Sequence, residues 1–367
     1  MKIFEEYTLG GKTLKNRVVM APMTRNRADA SGVLPDYAAE YYRQRAGAGL
    51  IISEATQPSA GGKGYMGTPG MHTDDQQSVW SRIADHVHED GGLIYCQLMH
   101  TGRIGHTSFF PEEWSLLAPS AIPAQMNVSD AEGNDVPAEV PVAASREQIQ
   151  EIIDDFASAA QRAVAAGLDG VEVHGANGYL LHQFLSYGTN LRTDEYGGSA
   201  AGRAKFVVDL ITEMARRIGP EKIGLRLSPG GQFNDMQKLD DDETYLLLVK
   251  ELRPIGISYL HVLRRRSTPL HVKLHEGWGT GFMMNTGYMG PSELMELNAL
   301  VESDEADLIS VGRNFISNPD LVARWKSGIP LSPWNEDTFY VGEEKGLIDY
   351  PAATSKQLSD SDGEWSK

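Results

Sequence analysis

Eight short apolar runs, most of them separated by stretches of helical spacing, constrain this chain more than any other feature. They are RVVMAP (17–22), LIISEA (50–55), LIYCQL (93–98), GVEVH (170–174), IGLRLS (223–228), YLHV (259–262), FMM (282–284) and LISVG (308–312). Near-continuous apolar runs belong to strands covered on both faces, and strands joined through helices run parallel. The clearest intervening helix is SREQIQEIIDDFASAAQRAVAAG. In it Ser145 and Gln148 have capping-box spacing, Ile149, Ile152, Ile153, Phe156 and Ala160 make one apolar face, and Gly167 is placed to end the helix. Eight such units argue for an α/β fold, a closed (β/α)₈ TIM barrel, over an open doubly wound sheet. The 367 residues, 41% hydrophobic, suffice for one large core, and a single barrel domain over residues 1–352 is expected.

Two stretches break the alternation, and the charge balance excludes some partners. Gly10 and Gly11, between Thr/Leu pairs, suggest an N-terminal hairpin covering the bottom of the barrel. Residues 105–144, rich in Pro, Ser, Asn and Asp, form a long excursion after the third strand, a lid or pocket wall. Residues 353–367 are expected to be a disordered tail. Lys and Arg number 33 against 50 Asp and Glu, for a net charge of −17, and no basic block could track a phosphate backbone, so no nucleic-acid partner is expected. The single cysteine, Cys96, rules out an internal disulfide framework and a cysteine-ligated iron–sulfur cluster. Its place inside an apolar strand makes it a core residue rather than a nucleophile. With no signal-peptide core in MKIFEEYTLGGKTL and no apolar window of membrane-spanning length, the expectation is a cytoplasmic protein without a membrane partner, a monomer or small homo-oligomer.

In a barrel of this kind, chemistry collects at the carboxyl ends of the strands. The polar and turn residues found there are Pro22, Met23 and Thr24; Glu54 and Ala55; Gln97 and His100; His174, Asn177 and Tyr179; Arg226; and Gly312 with Arg313. His174 and Asn177, three apart across a glycine-containing turn, could both donate to one carbonyl or nitro oxygen and hold the charge that develops there. Tyr179 then offers a phenolic proton nearby. Taken singly, each has an ordinary explanation: a helix cap, an Asx-turn, a rim residue. Taken together after a strand, they favour a site. His100 and His182 lack ligand spacing around His174, so no metal is expected. Gly312 and Arg313 after the last strand suit a phosphate. Arg226 ends an apolar strand as a buried cation, paired either with a barrel carboxylate such as Glu172 or with a cofactor.

The motifs HGANGYLLHQFLS (174–186) and NLRTDEYGGS (190–199), with APMTRNRA (21–28), SEATQ (53–57), GYMGTPG (64–70), QLMHTGRIGH (97–106), GRNFISNPDLV (312–322) and DTFY (337–340), closely resemble the Old Yellow Enzyme family of flavin-dependent ene-reductases, in the same order from Phe4 to Pro351. The resemblance implies tightly bound, non-covalent FMN across the barrel mouth. Pro22, Met23, Thr24, Ala55 and Gln97 would contact the isoalloxazine, Arg226 would face its N1 and O2 edge, and Gly312 and Arg313 would hold the phosphate, with Thr286 and Gly287 as a second phosphate turn. His174 and Asn177 would bind the oxygen of the activating group, Tyr179 would protonate carbon, and Tyr65, Met99 and Tyr340 would line the substrate pocket. The implied reaction is ping-pong. NADPH reduces the flavin, which then passes hydride from N5 to the β-carbon of an electrophilic alkene, an α,β-unsaturated carbonyl or nitroalkene.

The chain departs from the family pattern at several points. Met99 stands where relatives often carry tryptophan, the turn at Asn285, Thr286 and Gly287 keeps one glycine, and Gly202 replaces an asparagine before Arg203. Arg264, Arg265 and Arg266 read as a solvated basic turn, with an NADPH phosphate as their alternative partner. Two other functions are open at this point: a barrel isomerising a sugar phosphate with His174 as base, and a flavin carrier without catalysis.

Overall fold

All eight apolar runs become strands of one closed parallel barrel. The computed structural model describes residues 1–237, 241–264, 269–287 and 292–359. An antiparallel hairpin comes first, β1 (Tyr7–Leu9) and β2 (Lys12–Leu14), turned by Gly10 and Gly11 at φ 54° and 78°. The barrel takes β3 (Val18–Met20), β4 (Leu50–Thr56) and β5 (Ile94–Leu98), and resumes after the excursion with β10 (Gly170–Gly175), β11 (Ile223–Leu227), β12 (Tyr259–Leu263), β13 (Phe282–Asn285) and β14 (Leu308–Val311). It closes where β14 pairs with β3, Ile309 against Val18 and Val311 against Met20.

Helices form the outer layer: α1 (Tyr37–Arg43), α2 (Asp74–Glu89), α3 (Arg146–Ala165), α4 (Leu180–Leu185), α5 (Ala200–Ile218), α6 (Asp242–Leu252), α7 (Leu270–Trp278), α8 (Leu294–Glu302), α9 (Arg313–Ser317) and α10 (Leu321–Lys326). Helix α3 begins and faces as its spacing predicts. Ser145 and Gln148 make a reciprocal capping box, and Ile149, Ile152, Ile153, Phe156 and Ala160 are buried. None of the described helices is long and apolar enough to cross a membrane. At the amino end of the barrel Leu9 and Leu14 of the hairpin pack with Val19, Leu50, Ile52, Tyr95, Tyr259, Met283 and Leu308. The hairpin is therefore a floor that seals the lower barrel from water, as its two glycines suggested.

The excursion is more regular than its composition predicts. It holds β6 (Leu117–Ala118) parallel to β9 (Val142–Ala143), and a hairpin of β7 (Asn127–Ser129) with β8 (Asp135–Pro137). Strands of two or three residues are too short to show a period, so they escape sequence reading. Val128 packs with Ile104 and Ala124, and Tyr65 and Tyr179 lie against that cluster. The buried Arg103 guanidinium donates to the carbonyls of Ile122 and Pro123, both at 3.3 Å, and of Asp235 at 2.9 Å. These bonds tie the excursion to the loop after β11.

The tail also departs from expectation. Helix α11 (Ser355–Ser359) stands where disorder was expected from 353, begun by Thr354 and Gln357, whose side chains and backbone exchange hydrogen bonds at 2.9 and 3.3 Å. The remainder of that expected tail, residues 360–367, lies outside the described residues.

Candidate active site

Strand β10 ends at a corner that carries His174, Asn177 and Tyr179 at the carboxyl end of the barrel. After His174 and Gly175 the chain turns through Asn177 and Gly178 at φ 55° and 78°, and the Tyr179 N–H donates to the Ala176 carbonyl at 3.2 Å. Positive φ at both central positions is the geometry for which Asn-Gly is suited. Gly178 is required sterically as well, since a β-carbon there would stand 2.6 Å from the Phe233 carbonyl oxygen. The corner is pinned from outside. The Asn177 N–H donates to Ser228 Oγ at 2.8 Å, Asn234 Nδ2 donates to the Asn177 carbonyl at 2.9 Å, and the Gly178 N–H donates to His182 Nδ1 at 2.9 Å.

His174 is buried and its Nδ1 has no protein partner. Burial, with Arg226, His261 and His182 nearby, holds its pKa well below the usual histidine range, so the imidazole is neutral. Its ring lies 5.3 Å from that of Tyr179, whose hydroxyl is 3.0 Å from the Tyr65 hydroxyl. Burial, and then Tyr179 itself, raise the Tyr65 phenol well above its ordinary pKa. Of the ordinary explanations for these residues, the helix cap is not made by His174 Nδ1, which has no protein partner.

Strand β11 places Arg226 beside His174, with its Nε buried and unpartnered. The structural ion pair with Glu172 is not what forms. The Glu172 carboxylate accepts from Gln97 Nε2 at 2.8 Å and meets His261 Nδ1 at 2.8 Å. A register shift in β4 between Ile52 and Ala55 brings Ala55 opposite Gln97.

Pro22, Met23 and Thr24 are half-buried just past β3, and a β-carbon on Gly312 would stand 3.5 Å from Met23 Sδ. The ends of β3 and β14 thus meet at one edge of the mouth. Arg313 there is already engaged, 3.4 Å from Glu336 Oε1 and stacked over Trp334. At the end of β13, Thr286 is half-buried and Gly287 exposed, and the Gly287 N–H donates to Asn285 Oδ1 at 3.1 Å. Met99 is buried after β5. Tyr340 is 56% exposed, on a segment that two arginines fasten: Arg25 donates to the Phe339 and Gly346 carbonyls, Arg27 to those of Thr338 and Phe339.

Other sequence-singled residues serve structure. His100 and His182 accept backbone N–H groups through Nδ1, from Gly102 at 3.0 Å and Gly178 at 2.9 Å. Burial pushes the Cys96 thiol up to about 12, as befits a core residue. Arg264 lies 4.0 Å from Glu305, while Arg265 and Arg266 lie outside the described residues. Sequence reasoning missed Ser228, Asn234, His261, Ser310 and the paired arginines 25 and 27. Only the last left a trace, two cations at alternate positions in the segment after β3.

Comparison with known proteins identifies the family. The family model described as NADH:flavin oxidoreductase / NADH oxidase matches residues 2–332. A probable flavin mononucleotide-dependent alkene reductase of Leishmania infantum is 38% identical over 94% of this chain and 95% of its own length. The 12-oxophytodienoate reductase 2 of Arabidopsis thaliana is 34% identical over 95% of each chain. Among solved structures, morphinone reductase in complex with tetrahydroNAD superposes with a TM-score of 0.92 at 37% identity, covering 97% of this chain and 99% of that one. The chain belongs to the NADH:flavin oxidoreductase / NADH oxidase family and, within it, to the FMN-dependent oxidoreductases of the Old Yellow Enzyme type.

Proposed function

We propose that this protein uses NADPH to reduce the C=C bond of α,β-unsaturated carbonyl or nitro compounds, in two half-reactions at one site. One observation carries the reading: a neutral, unpartnered His174 nitrogen and a phenol, Tyr179, share one rigid corner. The residues present fit FMN. The buried Arg226 Nε lacks a protein partner and suits a carbonyl-rich ring edge, Gln97 adds an amide, and Gly312 leaves room beside Met23. Gly312 with Arg313, and Thr286 with Gly287, are the residues assigned to its phosphate, and Pro22, Met23, Thr24 and Ala55 to its ring.

FMN, when bound, supplies a hydride carrier between NADPH and the substrate β-carbon. His174 and Asn177 hold the substrate oxygen and stabilise the negative charge that grows on it. A neutral imidazole is suited to this, because it donates through one nitrogen without giving up a full proton. Tyr179 delivers its proton to the α-carbon. Tyr65, kept protonated by burial, donates to the Tyr179 oxygen as that charge appears. The wall of the excursion, with Ile104, Ala124 and Val128 against both tyrosines, keeps water from competing. Met99 and Tyr340 border the substrate space in this reading.

The test is the visible spectrum of the purified protein under anaerobic conditions. A flavin band that bleaches with NADPH and returns with 2-cyclohexenone supports the reading. Bleaching with NADH alone would reassign the donor, an outcome the tetrahydroNAD in the morphinone reductase complex makes worth including. A band that bleaches and never returns with an enone or nitroalkene would remove the alkene assignment.

A further inference from the structure

A chain of buried hydrogen bonds crosses the barrel beneath the mouth, and the proposed mechanism uses only its two ends, Gly287 and Gln97. The Gly287 N–H donates to Asn285 Oδ1 at 3.1 Å, and Asn285 Nδ2 donates to Ser310 Oγ at 2.9 Å. Ser310 Oγ lies 2.7 Å from His261 Nε2, His261 Nδ1 lies 2.8 Å from Glu172 Oε2, and Glu172 Oε1 accepts from Gln97 Nε2 at 2.8 Å. Five barrel strands contribute, and all five side chains are buried.

The proton positions in this chain are determined by its ends. Asn285 uses its amide nitrogen toward Ser310, because its oxygen is occupied by the Gly287 N–H. Ser310 therefore accepts from Asn285 and has its own O–H to give to His261 Nε2. His261, receiving at Nε2, carries its hydrogen on Nδ1 and donates it to Glu172. Although burial opposes charge on Glu172, His261, Arg226 and Gln97 outweigh it and hold the carboxyl below its usual pKa, so it is an acceptor only. Only the nitrogen of the Gln97 amide can face it. Each group in the row is satisfied in one direction, and the amide of Gln97 has a single permitted orientation.

We infer that Glu172, His261 and Ser310 are positioning residues that set the Gln97 amide so that its carbonyl oxygen and second amide hydrogen meet the alternating N3–H and carbonyl edge of a flavin ring. The inference rests on the flavin reading above. Reversing the amide would present hydrogen to hydrogen and oxygen to oxygen at that edge.

The test titrates apo-protein with FMN and with riboflavin, which lacks the phosphate, following flavin fluorescence for wild type, Ser310→Ala and Glu172→Gln. Ser310→Ala deletes one buried hydroxyl and frees the His261 tautomer. Glu172→Gln lets residue 172 turn an amide nitrogen toward Gln97 and reverse it. Ser310→Ala should weaken both flavins by about threefold and Glu172→Gln by about tenfold, the same factor for each flavin, as expected for loss of one buried hydrogen-bond preference. If FMN weakens and riboflavin does not, the chain serves only the Gly287 turn and the assignment to Gln97 fails. Unchanged affinities in Ser310→Ala overturn it also, and that variant decides if Glu172→Gln does not fold. Wild-type apo-protein that takes up neither flavin removes the flavin reading itself, and the inference with it.

Discussion

Replacing Tyr179 with phenylalanine separates chemistry from architecture at one oxygen atom. The ring stays packed beside Ile104, Ala124 and Val128, while the hydroxyl that meets Tyr65 at 3.0 Å is lost. A half-buried hydrogen bond of this kind contributes about 0.5–1.5 kcal/mol, so the unfolding free energy should fall by no more than that. As proton donor, the same hydroxyl should be worth roughly 10²- to 10⁴-fold in the rate of enone reduction. Flavin reduction by NADPH takes no proton from it and should be unchanged. Tyr65→Phe removes only the support, and the same 0.5–1.5 kcal/mol converts to about a two- to thirteenfold slower enone step. In the Tyr179→Phe background, Tyr65→Phe should then add nothing. Stopped-flow absorbance resolves the half-reactions, with NADPH mixed against oxidised enzyme and enone against reduced enzyme. Equal losses in both would make Tyr179 structural. Additive losses for the two tyrosines would show that their hydrogen bond is not the route of support.

Three further perturbations test the surrounding frame. Arg226→Met removes a buried cation whose Nε has no protein partner, so the apo-protein should melt no lower, while FMN affinity falls roughly ten- to a hundredfold; a less stable apo-protein with intact affinity would make Arg226 a structural cation. Gly178→Ala forces a side chain to φ 78° and to 2.6 Å from the Phe233 carbonyl, and chemical denaturation should show a loss above about 2 kcal/mol; a loss under half of that would mean the corner can relax. Burial pushes the Glu54 carboxyl, 3% exposed, up to about 7 from an ordinary 4.5. Since the folded value is the higher one, its stabilisation is complete below the unfolded pKa and is lost as pH rises through about 7, to the extent of about 3 kcal/mol. Glu54→Gln should flatten that decline between pH 5 and 8 in denaturant titrations, and a variant that declines as steeply as wild type would refute the assignment.

The legible parts of the site share a cause. His174, Asn177 and Tyr179 stand within six residues after an apolar run, so their grouping needs no tertiary knowledge. What holds them does. Ser228, Asn234 and Tyr65 reach the corner from 51, 57 and 114 residues away, and no local spacing announces them. The same holds for Glu172, which the sequence offers as a partner for Arg226. Which neighbour takes a buried carboxylate depends on strand register and side-chain direction, and here Gln97 and His261 take it. The helix at Ser355–Ser359 is the opposite case, since the Thr354 and Gln357 that begin it lie three residues apart in the sequence.

By itself the sequence determined the barrel, because strands covered on both faces must be apolar along their whole length and helices between them must carry one apolar stripe. It also determined the corner after β10, where only Asn and Gly readily accept two successive positive φ values. Tertiary structure alone decided which polar atoms are satisfied. Closing the barrel brings five strands' side chains into one directed row of hydrogen bonds, and it leaves His174 Nδ1 and Arg226 Nε buried without a protein partner. That outcome depends on distances across the barrel, which no pattern along the chain encodes.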